Sequence, residues 1–406
     1  MARILYLHQH FSTPEGATGT RSHAMARALV QRGHAVTLAC GQWQGAVTGL
    51  DGPFRRGARR GRVAGFEVVE FAVPCGNAQG LPARSLAFLR YAARSARLAM
   101  RPGWDVVIAS STPLTVALPA LLARRLRGTP FLFEIRDPWP ELPVALGLRA
   151  PLLLPALARL AGAACRDAHA VIALTKGMGN TALARGTPPH RLHIIGQGCD
   201  LDLFGPHIPP WRPEDAGSHE ILAVYAGAHG RANGLGFLLE VARLLQAAGE
   251  RRIRLILVGE GSETPALMRE AARLALTNLS FLAPLPKREL AGLLAGSQAG
   301  LLCLAPVPEF AEWTAPNKLM DYLAAGLPIL SNVPGEAARL LAAGGCGETC
   351  TEPVALAQAL TRLATEAGRR EAMGLAARQL AEREHDRRRL AACFVTAVES
   401  ALPPCA

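Results

Sequence analysis

Thr314–Asn332 reads TAPNKLMDYLAAGLPILSN, and its punctuation decides how the chain around it must run. Ala315-Pro316 makes a turn, and a proline suits the first position of a helix, where its missing N–H costs nothing. Asn317 to Ala325 then reads as that helix. Gly326 ends it in the manner of a C′ glycine, and Pro328 leads into a buried strand that starts at Ile329-Leu330. A helix that opens just after a turn presents free backbone N–H groups and the positive end of its dipole, which suits an anion such as a phosphate. Lys318 adds a full charge to that end. Asp321, one turn further in, places a carboxylate where it can accept a hydroxyl, for instance from a ribose. Two readings of the local pattern stay open: a combined phosphate-and-sugar site, or a plain crossover helix between parallel strands.

Working outward, the second half of the chain alternates strand and helix. Ile221 to Tyr225 is a strand, followed by the loop AGAHGRANGL and a helix from Gly236 to Ala248. Strands follow at Arg254 to Val258 (with the turn GEGSE after it), Leu279 to Phe281 and Ala299 to Leu304, with a helix at Lys287 to Ala295. Leu356 to Glu366, Arg370 to Glu384 and the amphipathic His385 to Leu402 read as helices. Upstream, Gly205 to Ser218 (GPHIPPWRPEDAGS) is Pro-rich and polar and reads as a linker.

The first half shows the same alternation. Arg3 to Leu7 is a buried strand, Ser22 to Arg32 a helix, and Ala35 to Ala39 the next strand, which makes a βαβ unit. The intervening loop, with Gly16, Gly19 and Arg21 at its end, lies where parallel α/β sheets bind ligands. It has no Gly-x-Gly-x-x-Gly, so it is not a dinucleotide fingerprint. Its glycines serve either a close backbone approach to a ligand or turns alone. Pro130 to Glu134 is a strand that runs into IRDPWPE, placing Arg136, Asp137 and Glu141 at a strand's carboxyl end. The alternative there is a structural ion pair of Arg136 with Asp137 or Glu141. Phe54 to Arg62 carries five arginines without hydrophobic periodicity and reads as an exposed loop. It is either merely solvated or drawn to anionic lipid headgroups. Leu86 to Trp104 is a basic amphipathic helix whose apolar side is mostly core, with an interfacial role open.

Length and composition agree with this division. A chain of 406 residues, half of them hydrophobic and 19% charged, is large enough for two ordered domains. The net charge of +12 is almost all Arg, the only lysines being Lys176, Lys287 and Lys318, and suits phosphate-bearing partners. Nucleic acid has only this bulk charge in its favour. The nine cysteines are scattered, with no paired spacing for zinc, and read as reduced and mostly buried. No signal peptide is read at the N-terminus, and Val144 to Cys165, the most apolar stretch, is interrupted by Arg and Pro and does not make a clean membrane span.

Four stretches together carry a family resemblance: STPEGATGTRSHAMARAL with GHAV, FEIRDPWPE, YAGAHGRANGLGFLLEVARLL, and APNKLMDYLAAGLPIL. In this order and spacing the chain resembles the GT-B glycosyltransferases, in particular the retaining enzymes of family 4. Within them it looks most like bacterial transferases of O-antigen, capsule and exopolysaccharide assembly, of the N-acetylfucosamine type. The resemblance implies an α/β fold of two Rossmann-like, doubly wound domains facing across a cleft. It implies an acceptor domain at 1–204, a linker at 205–218, a nucleotide-sugar domain at 219–384, and a final helix at 385–406 that crosses back to the first domain.

It also implies roles. A UDP-sugar donor would meet Gly227, His229, Gly230 and Arg231 of the AHGRANGL loop, Pro316, Asn317, Lys318 and Asp321 of the opening element, and Gly19. Gly16, Arg21, Arg136 and Glu141 would lie on the acceptor side. Asp137, Arg231 and Lys318 would carry catalysis, Asp137 as an orienting carboxylate and the two cations on the leaving diphosphate. The family pattern is Glu, seven residues, Glu. Asp321 stands at the second position, but Trp313 stands at the first, with Glu309 and Glu312 off register. Relatives place an Arg and a Lys in the loop after the first strand of the second domain. Here Arg231 supplies one charge, and Asn233 stands where the Lys would be, which makes Lys318 the candidate for the missing cation. No cofactor and no metal are expected. The expected partners are the UDP-sugar, a lipid-linked (undecaprenyl-diphosphate) saccharide and an anionic membrane surface. The expected location is cytoplasmic, peripheral on the inner face of the cytoplasmic membrane. Two other readings share the architecture: a UDP-sugar 2-epimerase, and a non-catalytic nucleotide-sugar-binding subunit of a polysaccharide assembly complex.

Overall fold

The computed structural model describes residues 1–76 and 79–402. The chain forms two compact units. The first comprises Met1–Gly196, Glu312–Ala315 and Arg388–Ala406, and the second Gln197–Ala311 and Pro316–Arg387. The last four residues of the chain, part of the segment expected to cross back, lie outside the described residues.

The first unit runs β1 (Arg3–Leu7), α1 (Arg21–Gln31), β2 (Ala35–Trp43), β3 (Ala58–Val63), β4 (Phe66–Cys75), α2 (Leu81–Ala99), β5 (Val106–Ser110), α3 (Ala117–Arg127), β6 (Phe131–Ile135), α4 (Glu141–Ala145), α5 (Leu153–Asp167), β7 (Ala170–Ala173), α6 (Lys176–Ala184) and β8 (Leu192–Ile194). Its sheet has the order β3-β4-β2-β1-β5-β6-β7-β8, parallel except for the β3–β4 pair. Side chains alternate across a strand. Thus Leu5 and Leu7 of β1 enter a core with Phe88 and Tyr91 of α2, while Ile4 and Tyr6 enter the opposite core. That second core includes Phe394, whose ring stacks on Tyr6 at 6.0 Å.

The second unit runs β9 (Ile221–Ala226), α7 (Gly236–Ala247), β10 (Ile253–Val258), α8 (Thr264–Arg273), β11 (Leu279–Leu282), α9 (Lys287–Ala295), β12 (Ala299–Leu302), α10 (Phe310–Trp313), α11 (Asn317–Ala325), β13 (Ile329–Ser331), α12 (Glu336–Gly344), β14 (Gly347–Thr349), α13 (Pro353–Thr365) and α14 (Ala367–Glu384). Within α10 the division between units falls after Ala311. The sheet is wholly parallel, in the order β11-β10-β9-β12-β13-β14. The final helix, α15 (Arg387–Glu399), supplies Phe394 and its neighbours to the first unit. Both units are Rossmann-like, with helices on the two faces of a parallel sheet.

Three readings of the sequence are corrected here. The arginine-rich stretch expected to be a loop becomes a strand over Ala58–Val63, paired antiparallel with β4. Its alternation is Arg-based rather than apolar because it is an edge strand, and Arg59 turns inward to bond Glu70 at 2.8 Å. Second, the Pro-rich segment belongs to the second unit. The Trp211 indole N–H donates to the Glu289 carbonyl at 2.8 Å, and Arg212 bonds the Gly217 and Glu220 carbonyls. Third, β4, α5, α8, α12 and β14 add to the alternation read from the sequence.

Candidate functional site

The opening helix forms where its punctuation placed it, from Asn317 to Ala325, with Pro316 as its cap and Gly326 left-handed at φ 72°. Tyr322 fixes it to the sheet. Gly300 of β12 lies under the Tyr322 ring, where a Cβ would come within 2.5 Å. The Tyr322 hydroxyl accepts the Ala226 N–H at 2.9 Å and donates to the Leu301 carbonyl at 3.3 Å. The helix head is thereby set beside the end of β9.

At that head Lys318 is buried. Its ammonium donates to the Tyr225 hydroxyl at 2.7 Å and to Asn233 Oδ1 at 3.2 Å, and lies 3.8 Å from the centre of the Tyr225 ring. None of these partners carries a charge at neutral pH. Burial, with a smaller push from Lys287, lowers the Lys318 ammonium to about 7. Gly227 makes room for it, since a Cβ there would meet Lys318 Nζ at 3.0 Å. Lys318 and Asn233, distant in sequence, are thus in contact, at the loop position where a lysine is expected from the sequence pattern. Arg231 is exposed on the same loop, in a short turn held by the Ala305 N–H to Ala232 carbonyl bond at 2.9 Å.

The remaining residues of this group fare differently. His229 is fully buried and hydrogen-bonded to Thr264 Oγ1 at 3.2 Å. Burial and the Lys318 charge depress its imidazole to about 4. Its backbone N–H donates to the Glu260 carbonyl, and its carbonyl accepts from Glu263. His229 therefore fastens the loop to the GEGSE turn, its ring buried and its Nε2 without a hydrogen-bond partner among the described residues. Gly230 is open, because a Cβ there would have no atom within 4 Å. Asp321 is also buried, and its carboxylate accepts from the Lys287 ammonium. The expected free carboxylate for a ribose hydroxyl is instead half of an ion pair between α11 and α9. Trp313, at the position of the family's first Glu, lies in the segment Glu312–Ala315 that packs with the first unit. The Glu312 carbonyl there accepts from Thr175 Oγ1 at 2.9 Å.

In the first unit, polar side chains gather at the carboxyl ends of β1, β2, β5 and β6. Arg136, half-buried, donates to His8 Nε2 at 2.8 Å, while His8 Nδ1 faces the Ser110 carbonyl at 3.4 Å. Burial, with the Arg136 charge, holds the His8 imidazole well below its ordinary value. A neutral ring that accepts at Nε2 must carry its proton on Nδ1, so the tautomer is fixed. Asp137 accepts from the Thr112 hydroxyl, and burial raises its carboxyl against the lowering effects of that bond and of Arg136. His10 lies against Trp43, the rings tilted by 33° with their centres 3.8 Å apart. Among the described residues, His10 Nε2 and both polar atoms of the buried Gln9 side chain have no hydrogen-bond partner. Buried polar groups are ordinarily paired, so these unpaired atoms set this end of the sheet apart from its well-bonded interior.

One acceptor-side expectation and one alternative ion pair are corrected. Arg21 is fully buried, bonded to Glu134 Oε1 at 2.8 Å and to the carbonyls of Ile195 and Gly196. It is consumed inside the fold and faces no ligand. Glu141 pairs with Arg185 rather than with Arg136. Gly16 is a packing glycine, because a Cβ would come within 2.3 Å of Ser12 Oγ and 2.7 Å of the Val47 nitrogen. Gly19 is half-exposed in the same loop. His8, Gln9, His10, Trp43 and Thr112 were missed in the sequence; the run HQH directly after β1 was the available signal. Among the described residues, no group of three or more His, Cys, Asp or Glu side chains is placed to hold a metal ion. Likewise, no helix is long and apolar enough to cross a membrane.

Comparisons with known proteins bear on both units. Residues 16–198 match a glycosyl transferase 4-like domain, and residues 220–366 match the glycosyl transferases group 1. No curated protein matches the chain. Among solved structures, sucrose-phosphate synthase from Thermosynechococcus elongatus is 14% identical, with 98% of each chain covered and a TM-score of 0.75. HepE from Anabaena, in complex with UDP-glucose, is 17% identical, with 98% of this chain and 100% of that one covered and a TM-score of 0.68. WaaG, a glycosyltransferase involved in lipopolysaccharide biosynthesis, is 16% identical, with 97% and 98% covered and a TM-score of 0.65. At these identities the likeness is one of fold.

Proposed function

We propose a specific reaction for this chain, which, with its 4-like domain followed by a group 1 domain, is a glycosyltransferase of the GT-B fold. It takes a sugar from a UDP-sugar, with retention, and passes it to a lipid-linked saccharide on undecaprenyl diphosphate in cell-surface polysaccharide assembly. The observation that carries the donor half is Lys318, a buried cation with only neutral partners at the head of α11. A diphosphate there would gain the ammonium, the first N–H groups of the helix and Arg231 from the adjoining loop. These groups stabilise the charge that grows as the bond from the anomeric carbon to phosphate breaks. The acceptor hydroxyl attacks that carbon on the face the diphosphate leaves, and its proton passes to a diphosphate oxygen, releasing UDP. The reaction is assigned to cationic side chains and a helix dipole, without a metal or another cofactor. The bound UDP-glucose of the HepE structure supports the choice of UDP-sugar.

The acceptor half is assigned to His8, Gln9, His10, Trp43, Arg136 and Asp137 of the first unit. The Trp43–His10 pair brings aromatic surface suited to a sugar ring to this end of the sheet, and Gln9 brings an unpaired donor and acceptor. Asp137 orients a hydroxyl through the carboxylate that Thr112 holds. A peripheral place on the inner face of the cytoplasmic membrane is supported by the helices on one side of this sheet. Leu86 and Leu89 of α2 and Leu118, Leu122 and Leu126 of α3 are exposed. Arg90 and Arg97 of α2 and Arg124, Arg125 and Arg127 of α3 are exposed as well. Leucine and arginine together suit an anionic lipid interface.

The test is a panel of UDP-sugars screened by thermal shift, followed by transfer of the stabilising sugar to a lipid-linked acceptor. A donor that stabilises the fold and is transferred supports the reading. If Lys318→Ala and Arg231→Ala leave UDP-sugar affinity unchanged, the donor assignment fails.

A further inference from the structure

The opposite end of the first sheet, where β1, β2 and β4 begin, carries a cavity of about 790 Å³. That volume lies within the range of roughly 300–1,000 Å³ typical of small-molecule sites. Its walls come from the Gly33–His34 turn, from β3, and from the loop between α2 and β5. Arg3, Arg60, Arg62 and Arg101 line it, with Trp104 as an aromatic wall. Arg60 and Arg62 are two residues apart on β3 and so share one face, whereas Arg59 turns to the other face and Glu70.

Glu67 is the one carboxylate in the lining, and it is already engaged. It accepts from the Thr37 hydroxyl at 3.0 Å and pairs with Arg60 at 3.4 Å. His34 is paired with Glu399, which also holds Arg32. Adjoining the lining, Asp105 accepts the Arg3 backbone N–H at 2.7 Å. Among the described residues, the guanidiniums of Arg3, Arg62 and Arg101 make no ion pair, and that of Arg3 lies 5.3 Å over the Trp104 ring. Like charges converging on one concavity raise the local concentration of anions there. The guanidinium fork matches phosphate oxygens two at a time, and the Trp104–Arg3 stack holds one fork in place.

We propose that this cavity is a second anion site, which binds a phosphate-bearing group apart from the residues assigned to donor and acceptor. The group is a free diphosphate-class molecule or the phosphate of a lipid headgroup; the chemistry recognised is the same. The proposal does not rest on the glycosyl-transfer reading, because none of its residues serves that reading.

The experiment uses the full chain carrying Lys318→Met and Arg231→Ala, so that a diphosphate cannot report the donor site. Inorganic pyrophosphate is titrated calorimetrically into this background, with and without Arg62→Gln and Arg101→Gln. In parallel, both proteins are floated with vesicles of phosphatidylglycerol or of phosphatidylcholine. A control carries Arg251→Gln and Arg269→Gln, two exposed arginines of the second unit. A loss of at least tenfold in pyrophosphate affinity in the Arg62/Arg101 protein alone supports the site with a soluble ligand. Loss of phosphatidylglycerol binding alone, again without effect in the control, supports it with a lipid headgroup. If neither binding changes, or if the control weakens both equally, the cavity is not a site and the proposal is overturned.

Discussion

Arg21 and Lys318 invite comparison. Each stands at the start of a helix that follows a loop at a strand's carboxyl end, and each reads in the sequence as a ligand-facing cation, Arg21 on the acceptor side and Lys318 at the leaving diphosphate. The structure separates them by their partners. Arg21 is neutralised by Glu134 and capped by two carbonyls. Burial would raise the Glu134 carboxyl, but the Arg21 and Arg136 charges and the Ser110 hydrogen bond outweigh it and leave it below its ordinary value. Lys318 has a phenol, an amide oxygen and an aromatic ring, all neutral. A buried charge that is paired holds the architecture, whereas Lys318 has no counter-charge among its contacts, the feature on which the proposed diphosphate site rests. The first unit uses its cation in folding, and the second keeps its own free.

The sharpest way to break this contrast is to remove each cation. Arg21→Met should leave Glu134 buried without its ion-pair partner, held only by the Ser110 hydroxyl and the Arg136 charge, and cost about 3 kcal/mol of stability. Chemical denaturation would read it, and a loss near zero would remove Arg21 from the architecture. Lys318→Met should do the reverse, stabilising the fold while donor affinity falls. The sign follows from linkage: between about 7 and the ordinary 10.5 the unfolded lysine holds a proton that the folded one lacks. Stability due to this group therefore rises with pH through that window, and the penalty is complete below it. The gain from Lys318→Met should be on the order of a few kcal/mol at about pH 6 and shrink toward pH 10. A destabilised Lys318→Met protein at acidic pH would contradict the unpaired state of this cation.

Asp321 offers a test of comparable size. Asp321→Ala leaves Lys287 buried without its carboxylate and should cost about 3 kcal/mol, which a further Lys287→Met should largely restore. If the double variant regains its melting temperature but loses UDP binding, Asp321 touches the nucleotide as well as Lys287. In the first unit, Gln9→Leu should slow acceptor turnover by raising KM about tenfold, the loss of one to two neutral hydrogen bonds. Its stability should change little, because Gln9 already lacks protein partners. The smallest effect is expected for Arg231→Ala, an exposed group whose loss should weaken donor binding only about two- to fivefold.

Much of the fold was legible because parallel sheets leave clear marks: short apolar strands, glycines after helices and a consistent alternation. The α11 element was read residue by residue, since Pro316 and Gly326 punctuate it locally. What stayed hidden was non-local. β3 is arginine-rich because it is an edge strand, so hydrophobic periodicity could not reveal it. The pairings of Arg21 with Glu134 and of Asp321 with Lys287 join residues far apart in sequence, and nothing local distinguishes a paired charge from a free one. The same holds for His8, Gln9 and Trp43, brought together with Arg136 and Asp137 by the order of four strands. The Lys318–Asn233 contact is the favourable case: the sequence pattern links these two distant residues, and the structure places them within hydrogen-bond distance.

The most direct test of Lys318 as the diphosphate cation is the proton taken up when UDP binds. It is measured by calorimetry at about pH 8 in buffers of different ionisation enthalpy. A lysine near 7 is mostly neutral there, so binding of the anion should draw in up to about 0.9 proton. The uptake should vanish in Lys318→Met, together with at least a tenfold loss of affinity. Equal affinity and equal proton uptake in the two proteins would contradict the assignment.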